Sequence, residues 1–316
     1  MTNKAICFYH SADLDGHCSG AILRRFHEIL PKDYELLELR GINYGEAFPW
    51  ELIDGETTVY MVDFSIQPFD QMVRLLGECK QLVWIDHHET AINEYGSYER
   101  EHVGFQIAGT RKVGEAACEL CWRWFFGGRF MTDVNMPQAV RLIGRYDVWD
   151  KTNPDVEPFQ WGMRSYSETR PEQVYEGLWK DLLDDDIVMA GRIRDAGHRL
   201  LAFQRAQDEK YCRAYAFDAL LGGLRVVALN KGMANSETFR SVYDPERHDA
   251  MCLFARKKNG RWLVSLYSAK PEVDVGSFCK GRSPDGGGGG HANAAGYESL
   301  DCPFARPGST EEMLSR

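Results

Sequence analysis

The chain has 316 residues, enough for one large domain or two ordinary ones. Apolar residues at 44% and charged residues at 27% exclude a disordered chain, a collagen and a coiled-coil rod, and no apolar run reaches the roughly 18 residues of a membrane span. A net charge of −10 weighs against a broad basic face for long nucleic acid, but bound divalent cations could still supply local positive charge to a nucleotide site.

The N-terminal stretch MTNKAICFYHSADLD meets His and Asp too soon for a secretory leader. KAICFYH at 4–10 reads as a buried strand. SGAILRRFHEIL at 19–30 reads as a helix with Ile22, Phe26, Ile29 and Leu30 on one face. TTVYMVDFS at 57–65 is a second strand, PFDQMVRLLGECK at 68–80 a helix, and QLVWIDHH at 81–88 a third strand. Helices follow at 114–126 and 137–150. This alternation predicts a parallel sheet covered by helices on both faces. Beyond 150, helical segments are expected near 171–184 and, as a long connector, over 187–216. LRVVALN, DAMCLFARKK and RWLVSLYS then resume strands, and Asn259-Gly260 between the last two marks a hairpin turn. Residues 221–298 hold eleven Lys and Arg against eight Asp and Glu, so the acidity belongs to the rest of the chain. The nine cysteines are an odd, scattered set, which reads as reduced thiols in the cytoplasm rather than a disulfide framework.

Three apolar runs end in acids or histidines. His10, Asp13 and Asp15 follow the first, Asp63 the second, and Asp86, His87 and His88 the third. In a parallel sheet all three clusters lie at carboxyl ends, where open α/β sheets bind ligands. Asp147, at a helix end, offers a fourth contribution. Five carboxylates so close would repel one another unless a cation neutralises them or their pKa values rise. Mixed oxygen and imidazole donors suit Mn²⁺, Fe²⁺, Co²⁺ or Zn²⁺ better than Mg²⁺. Their number suffices for two ions about 3.5–4 Å apart, an arrangement that activates water and clamps a phosphoryl group. A single strand-end Asp is usually a helix cap or turn residue. The joint pattern makes coincidence a poor explanation.

HSADLDG, VDFS and DHH, in this order and spacing, resemble the DHH phosphoesterase superfamily, and GGGGGHANAAG at 286–296 resembles the glycine-rich signature of its DHHA1 domain. The resemblance covers residues 4–298. It implies an α/β chain: an N-terminal parallel-sheet DHH domain over 1–186, a connector helix over 187–217, a smaller α/β DHHA1 domain over 218–300 and a tail over 301–316, with the active site in the interdomain cleft. It assigns His10, Asp13 and Asp63 to one metal and Asp15, Asp63, His87 and Asp147 to the other, two divalent ions of which Mn²⁺ is the leading candidate. His88 would face the substrate phosphate or the nucleophile, and Asp86 would support the triplet. Asp147 is preferred to Asp150 because Asp147-Val148-Trp149 resembles the family's Asp-x-Trp better. Gly288, Gly289, His291 and Asn293, with Ser268, would bind the non-scissile nucleotide or a terminal phosphate. Physics favours the glycine run too: it lets backbone N–H groups approach a phosphate, and a helix is expected to start near His291.

One departure stands out. Oligoribonuclease-type relatives carry Arg in a Ser-Leu-Arg-Ser strand, where this chain has Ser265-Leu266-Tyr267-Ser268. Tyr267 can stack on a base but lacks a guanidinium fork. Lys280, Arg282 or Arg240 could take over that contact. Cys118-x-x-Cys121 reads as core packing, Trp122, Trp124, Phe125 and Phe126 as core or interface, and Arg111-Lys112 as an exposed basic pair.

The expected function is a metal-dependent phosphodiesterase of the nanoRNase type, hydrolysing short oligonucleotides to mononucleotides. Cyclic or linear dinucleotides and 3′-phosphoadenosine 5′-phosphate are alternative substrates, and a catalytically weak nucleotide-binding or sensing protein is the alternative of another class. No long-duplex or membrane partner is expected, and a homodimer is allowed.

Overall fold

A computed structural model describes residues 3–29, 34–128 and 135–304; Leu30 of the expected helix face and the tail beyond residue 304 lie outside them. The chain forms two compact units, Met1–Leu201 and Ala202–Arg316.

The first unit is built on four parallel strands: β1 (Asn3–His10), β2 (Tyr34–Ile42), β3 (Thr57–Val62) and β4 (Gln81–Ile85), in the order β2-β1-β3-β4. Successive side chains point to opposite faces of a strand. In β1, Cys7 and Tyr9 therefore enter one apolar cluster while Ile6 and Phe8 enter another. Helices α1 (Leu14–Ile29), α4 (Ala117–Phe126), α5 (Gln138–Asp147) and α6 (Val156–Met163) cover the first face; α2 (Asp70–Glu78) and α3 (Glu89–Glu101) cover the second. Each fully buried Ile or Phe contributes roughly 1.5–3 kcal/mol, so both faces are needed to stabilise the sheet. The parallel sheet with helices on both faces matches the sequence reading. Strand β2 and helices α3 and α6 were not anticipated.

Helix α1 starts five residues earlier than its apolar pattern suggests. Asp13 Oδ1 accepts from the Gly16 N–H at 3.0 Å and starts the helix. Gly16 is required there, because a Cβ would lie 2.0 Å from the His10 carbonyl oxygen. On the expected face Ile22 is fully buried and Phe26 packs against the core, but Ile29 is 58% exposed, since the core ends before the last turn. Cys118 and Cys121 are buried core thiols, as expected. Arg111 is not the exposed residue the sequence suggested: it donates to the Trp84 and Ile107 carbonyls and lies over the Trp84 and Tyr95 rings.

Between α6 and the long helix, α7 (Pro171–Val174) and α8 (Lys180–Leu183) flank an irregular turn at Tyr175–Trp179. Helix α9 (Ile187–Tyr215) is capped by Asp186, whose Oδ1 accepts from the Val188 and Met189 N–H groups.

The second unit carries a mixed sheet ordered β5-β6-β7-β8-β10-β9. Its strands are β5 (Phe217–Leu221), β6 (Leu224–Asn230), β7 (Ala250–Arg256), β8 (Trp262–Tyr267), β9 (Gly289–His291) and β10 (Ala294–Ser299), with α10 (Val275–Cys279) beside them. Only β6 and β7 pair in parallel. The Asn259-Gly260 hairpin forms as expected, with Gly260 at φ 86°. The helix expected after His291 does not form. Gly288, Gly289 and Gly290 hold φ values of 95°, 143° and 145°, and the chain turns into the β9-β10 hairpin. Gly290 is required there, since a Cβ would meet the Ala294 carbonyl oxygen at 2.6 Å.

Candidate metal centre

Register brings the three motifs together. Tyr9 is opposite Val62, and Val62 is opposite Ile85. The next residue on each strand is therefore His10, Asp63 and Asp86, side by side at one sheet end. Asp63 adopts φ 56°, a left-handed conformation that Asp tolerates better than most residues. Its N–H still donates to the Ile85 carbonyl at 2.9 Å, so the carboxylate leaves the strand line without losing the ladder bond.

Asp63 divides its oxygens between two groups. Oδ2 is 3.6 Å from His10 Nδ1, which is itself 3.0 Å from Asp13 Oδ2. Oδ1 is 3.3 Å from His87 Nε2, which also lies 3.3 Å from Asp147 Oδ2 and 3.8 Å from Asp15 Oδ2. Three sets of side chains come close enough to share an ion: His10, Asp13 and Asp63; Asp15, His87 and Asp147; and Asp63, His87 and His88. Both Asp63 oxygens and His10 Nδ1 are buried without a hydrogen-bond partner among the described residues. Oxygen and nitrogen ligands about 2.0–2.2 Å from one divalent ion, at roughly 90–110° to each other, stand about 3–3.4 Å apart. The two 3.3 Å contacts of His87 Nε2 and the 3.0 Å contact of His10 Nδ1 fall in that range, while the 3.6 Å and 3.8 Å contacts are too long for hydrogen bonds.

The ring orientations agree. Asn43 Oδ1 accepts from the Tyr44 N–H at 2.8 Å, which identifies it as the oxygen, and it lies 3.3 Å from His10 Nε2. His10 must then donate from Nε2, which leaves Nδ1 toward Asp13 and Asp63, free to offer a lone pair there once its proton is displaced. Asp86 is fully buried and accepts from Trp84 Nε1 at 3.1 Å, from the His87 and His88 N–H groups at 2.7 and 3.0 Å, and from His88 Nδ1 at 2.7 Å. It thus holds both histidines without facing the ion sites itself. His88 keeps Nε2 as the nitrogen not engaged by Asp86.

Electrostatics reflect a site crowded with acids. Burial pushes Asp15 up to about 7, and the nearby Asp63 charge adds to the rise. Burial, then Asp15, does the same to Asp147, also to about 7. Burial raises Asp63 as well, against the opposing pull of His10 and His87. For His10 burial favours the neutral ring, but Asp13 and Asp63 outweigh it and push the imidazole up to about 10. For His87 the same opposition is overcome by Asp63, Asp15 and Asp147, again to about 10. Burial also opposes the charge on Asp86, yet the bond from His88 holds its pKa below the usual carboxylate value. Divalent cations would take the place of these protons.

Several supports were not legible in the sequence. Asp15 lies inside α1, and its two oxygens accept from the Ala117 and Cys118 N–H groups, both at 2.8 Å. The start of α4, about 100 residues away, is thus capped by a candidate ligand. Asn43 follows a strand that periodicity did not reveal, and Trp84 reads as ordinary core. Asp147 joins the cluster, whereas Asp150 turns away to accept from Thr152. His17, within HSADLDGH, has both ring nitrogens engaged by Thr169 and Ser11.

The expected substrate residues lie in the second unit. Ser268 is buried; its hydroxyl donates to the Asp249 carbonyl at 2.8 Å and accepts from the Lys270 N–H at 3.1 Å. Gly288, Gly289, His291 and Asn293 sit on or beside the glycine hairpin, with His291 and Asn293 exposed. The Asn293 carbonyl accepts from the Ser268 N–H at 3.0 Å and the Ala292 carbonyl from the Val275 N–H at 2.9 Å, which ties down the turn. Tyr267 is half-buried against the cluster that contains Phe239 and Met251. Arg282 lies over the Phe278 ring.

The three strand-end motifs whose order resembles that of the DHH phosphoesterases are thus brought together at one sheet end. No protein-family model and no curated protein matches the chain. Among solved structures it is similar to the pGpG-specific phosphodiesterase PggH from Vibrio cholerae, with 12% identity and a TM-score of 0.49 over 93% of this chain and 92% of that one. It is similar to exonuclease RecJ bound to manganese, at 18% identity and a TM-score of 0.45 over 93% and 85%. RecJ in complex with Mn²⁺ from Thermus thermophilus matches at 16% identity and a TM-score of 0.47, and there the chain spans about half of the other, 49%.

Proposed function

We propose that this chain is a metal-dependent phosphodiesterase that hydrolyses short oligonucleotides to mononucleotides. The observation that supports it most is Asp63: a buried carboxylate with neither oxygen hydrogen-bonded among the described residues, one facing the His10 group and the other the His87 group. Two divalent cations held there, Mn²⁺ being the leading candidate, would supply an activated water and neutralise charge on a phosphoryl group. The residues do the rest. His10, Asp13 and Asp63 would hold one ion, and Asp15, Asp63, His87 and Asp147 the other. Asp86 orients His88 through Nδ1, so Nε2 can carry a proton toward a leaving oxygen or stabilise charge on a phosphate. Asp86 burial keeps that orientation fixed.

The mild positive balance of 221–298 supports binding of a few phosphates rather than a long strand. Gly288, Gly289, His291, Asn293 and Ser268 are proposed to bind the non-scissile nucleotide; for Ser268 this is through its place in the turn, since its hydroxyl is engaged. A reducing, cytoplasmic setting goes with nine free cysteines, eight of them buried. Among the described residues no helix is long and apolar enough to cross a membrane.

The test is a product assay with Mn²⁺ on a 5′-labelled RNA dinucleotide and a labelled 24-mer, with Asp63→Ala as control. Rapid conversion of the dinucleotide, slow action on the 24-mer and loss in the variant are expected. Survival of both RNAs with metal bound overturns the reading, and cyclic dinucleotides and 3′-phosphoadenosine 5′-phosphate then become the substrates to try.

A further inference from the structure

A cavity of about 190 Å³ opens beside the carboxylates of Asp13, Asp15 and Asp147, walled on its other sides by Tyr146, Trp149, Gln160 and Arg164. That volume is below the roughly 300–1,000 Å³ of sites for whole drug-sized ligands, and suits a single ring system.

Trp149 is held there against its backbone preference. Helix α5 ends with the Trp149 N–H donating to the Tyr146 carbonyl at 3.1 Å and the Asp150 N–H to the Arg145 carbonyl at 2.8 Å. This is the Schellman pattern, whose left-handed position is usually glycine. Here Trp149 occupies it at φ 63°, and the residue is 51% exposed. Lys151 Nζ lies 3.9 Å from the ring centroid, and Tyr146 meets the ring edge-on at 5.8 Å. A glycine would make the same turn more easily, so the cap does not account for the indole.

Gln160 supplies a second, independent sign. It is 7% exposed, and its Oε1 is buried without a hydrogen-bond partner among the described residues. A buried acceptor left unmade is costly, and although the oxygen is closed off in this conformation, a turn of the Gln160 side chain toward the cavity it lines would let a ligand N–H satisfy it. Arg164 is exposed, 3.4 Å from the Tyr146 hydroxyl through Nη2, and offers further donors.

We propose that this cavity is a nucleobase subsite beside the metal-binding carboxylates, selective for guanine. It rests on the phosphodiesterase reading above, for which it names the substrate base. The indole supplies a stacking face, which is sequence-tolerant. Selectivity comes from the polar edges. Guanine presents two adjacent donors, N1–H and the 2-amino group, to the Gln160 oxygen, and O6 or N7 as acceptors to the Arg164 fork. Adenine has only its amino group as a donor on that edge, and uracil lacks an exocyclic amine.

The test compares GpG, IpI, ApA and UpU with the Mn²⁺-loaded full chain, as wild type, Trp149→Gly and Gln160→Met, alongside calorimetric binding of GMP. The wild type should show the lowest KM for GpG. Trp149→Gly should raise KM on the order of tenfold for every dinucleotide, the loss falling on KM rather than kcat. Its Tm should be no lower than that of wild type, because glycine suits the cap, and its Mn²⁺ affinity should be unchanged. Gln160→Met should erase the preference of GpG over IpI. Equal KM values in all three proteins would overturn the subsite while leaving the phosphodiesterase reading intact. If no dinucleotide is cleaved but GMP binds and Trp149→Gly abolishes that binding, the hydrolase reading fails and the subsite stands. If GMP does not bind and GpG is not preferred, the subsite is overturned.

Discussion

The Asp63 carboxylate lies 3.3 Å from His87 Nε2, and the strand ladder beneath it is unbroken. Sheet register rather than loop geometry therefore sets the spacing of the central acid and the imidazole. The cost of that placement is a buried negative cluster, and several measurable properties follow from it.

Asp147→Asn should stabilise the metal-free protein at neutral pH and weaken metal binding. Burial and Asp15 raise the Asp147 pKa to about 7, so its charged form is unfavourable in the fold. The destabilisation is absent below its ordinary value near 3.8 and complete above about 7. With the side chain 25% exposed, roughly 1–2 kcal/mol is expected above about pH 7, shrinking toward zero in acid. Urea unfolding of the chelated protein against pH measures it. A less stable variant at about pH 8 would contradict the charge argument.

Metal affinity should rise with pH. Asp15 and Asp147 titrate near 7, and His10 and His87 near 10, so a cation must displace their protons. The raised His10 and His87 values mean that these imidazoles stabilise the metal-free fold below their ordinary 6.5 and lose that contribution as pH climbs to about 10, while the cost of the buried Asp15 and Asp147 charges grows from about 3.8 to about 7. From about pH 6 to about pH 8, Mn²⁺ affinity should increase on the order of tenfold or more, with proton release. Calorimetry in buffers of different ionisation enthalpy counts the protons. A pH-independent affinity would show that these groups do not bind the ion.

Gly16→Ala should damage both stability and the centre. The new Cβ would fall 2.0 Å from the His10 carbonyl oxygen, forcing β1 and α1 apart just where His10 and Asp13 are set. A loss of roughly 2–4 kcal/mol is expected, with weaker Mn²⁺ binding. Gly96→Ala is the control, because nothing lies closer than 3.6 Å to its added Cβ; that helix position should gain about 0.5–1 kcal/mol.

Asp86→Asn should lower the pKa of His88 and cost roughly 2–4 kcal/mol, since its buried oxygens accept four N–H groups. The depressed pKa of Asp86 contributes stability that is present above its ordinary value near 3.8 and is lost as pH falls through the folded value. NMR titration of the His88 ring reads the first effect directly, and an unmoved His88 would deny Asp86 its orienting role.

His291→Ala should raise KM for nucleotide substrates and leave Mn²⁺ affinity unchanged, because His291 is an exposed residue of the glycine hairpin in the second unit. A fall in Mn²⁺ affinity would instead make it part of the metal centre.

Much of this was readable from residue order. Apolar runs ending in acids and histidines located His10, Asp63 and the Asp86-His87-His88 triplet, because a parallel strand delivers its next residue to the sheet's carboxyl edge. Periodicity failed where local signals were short or ambiguous. Asp15 reads as one more acid after a strand, but it is a buried helix residue that caps α4 from about 100 positions away. The expected helix after His291 is a hairpin, since three glycines at positive φ cannot carry the chain into a right-handed helix.

Sequence alone therefore determined which side chains gather, through the alternation of strands and helices and the chemistry at each strand end. Only the tertiary structure decided how they face one another. The division of the Asp63 oxygens and the contact of His10 Nε2 with Asn43 both depend on register and on contacts between distant segments. Local residue order determines what a strand can deliver to its end. Long-range packing determines the angle and company in which it arrives.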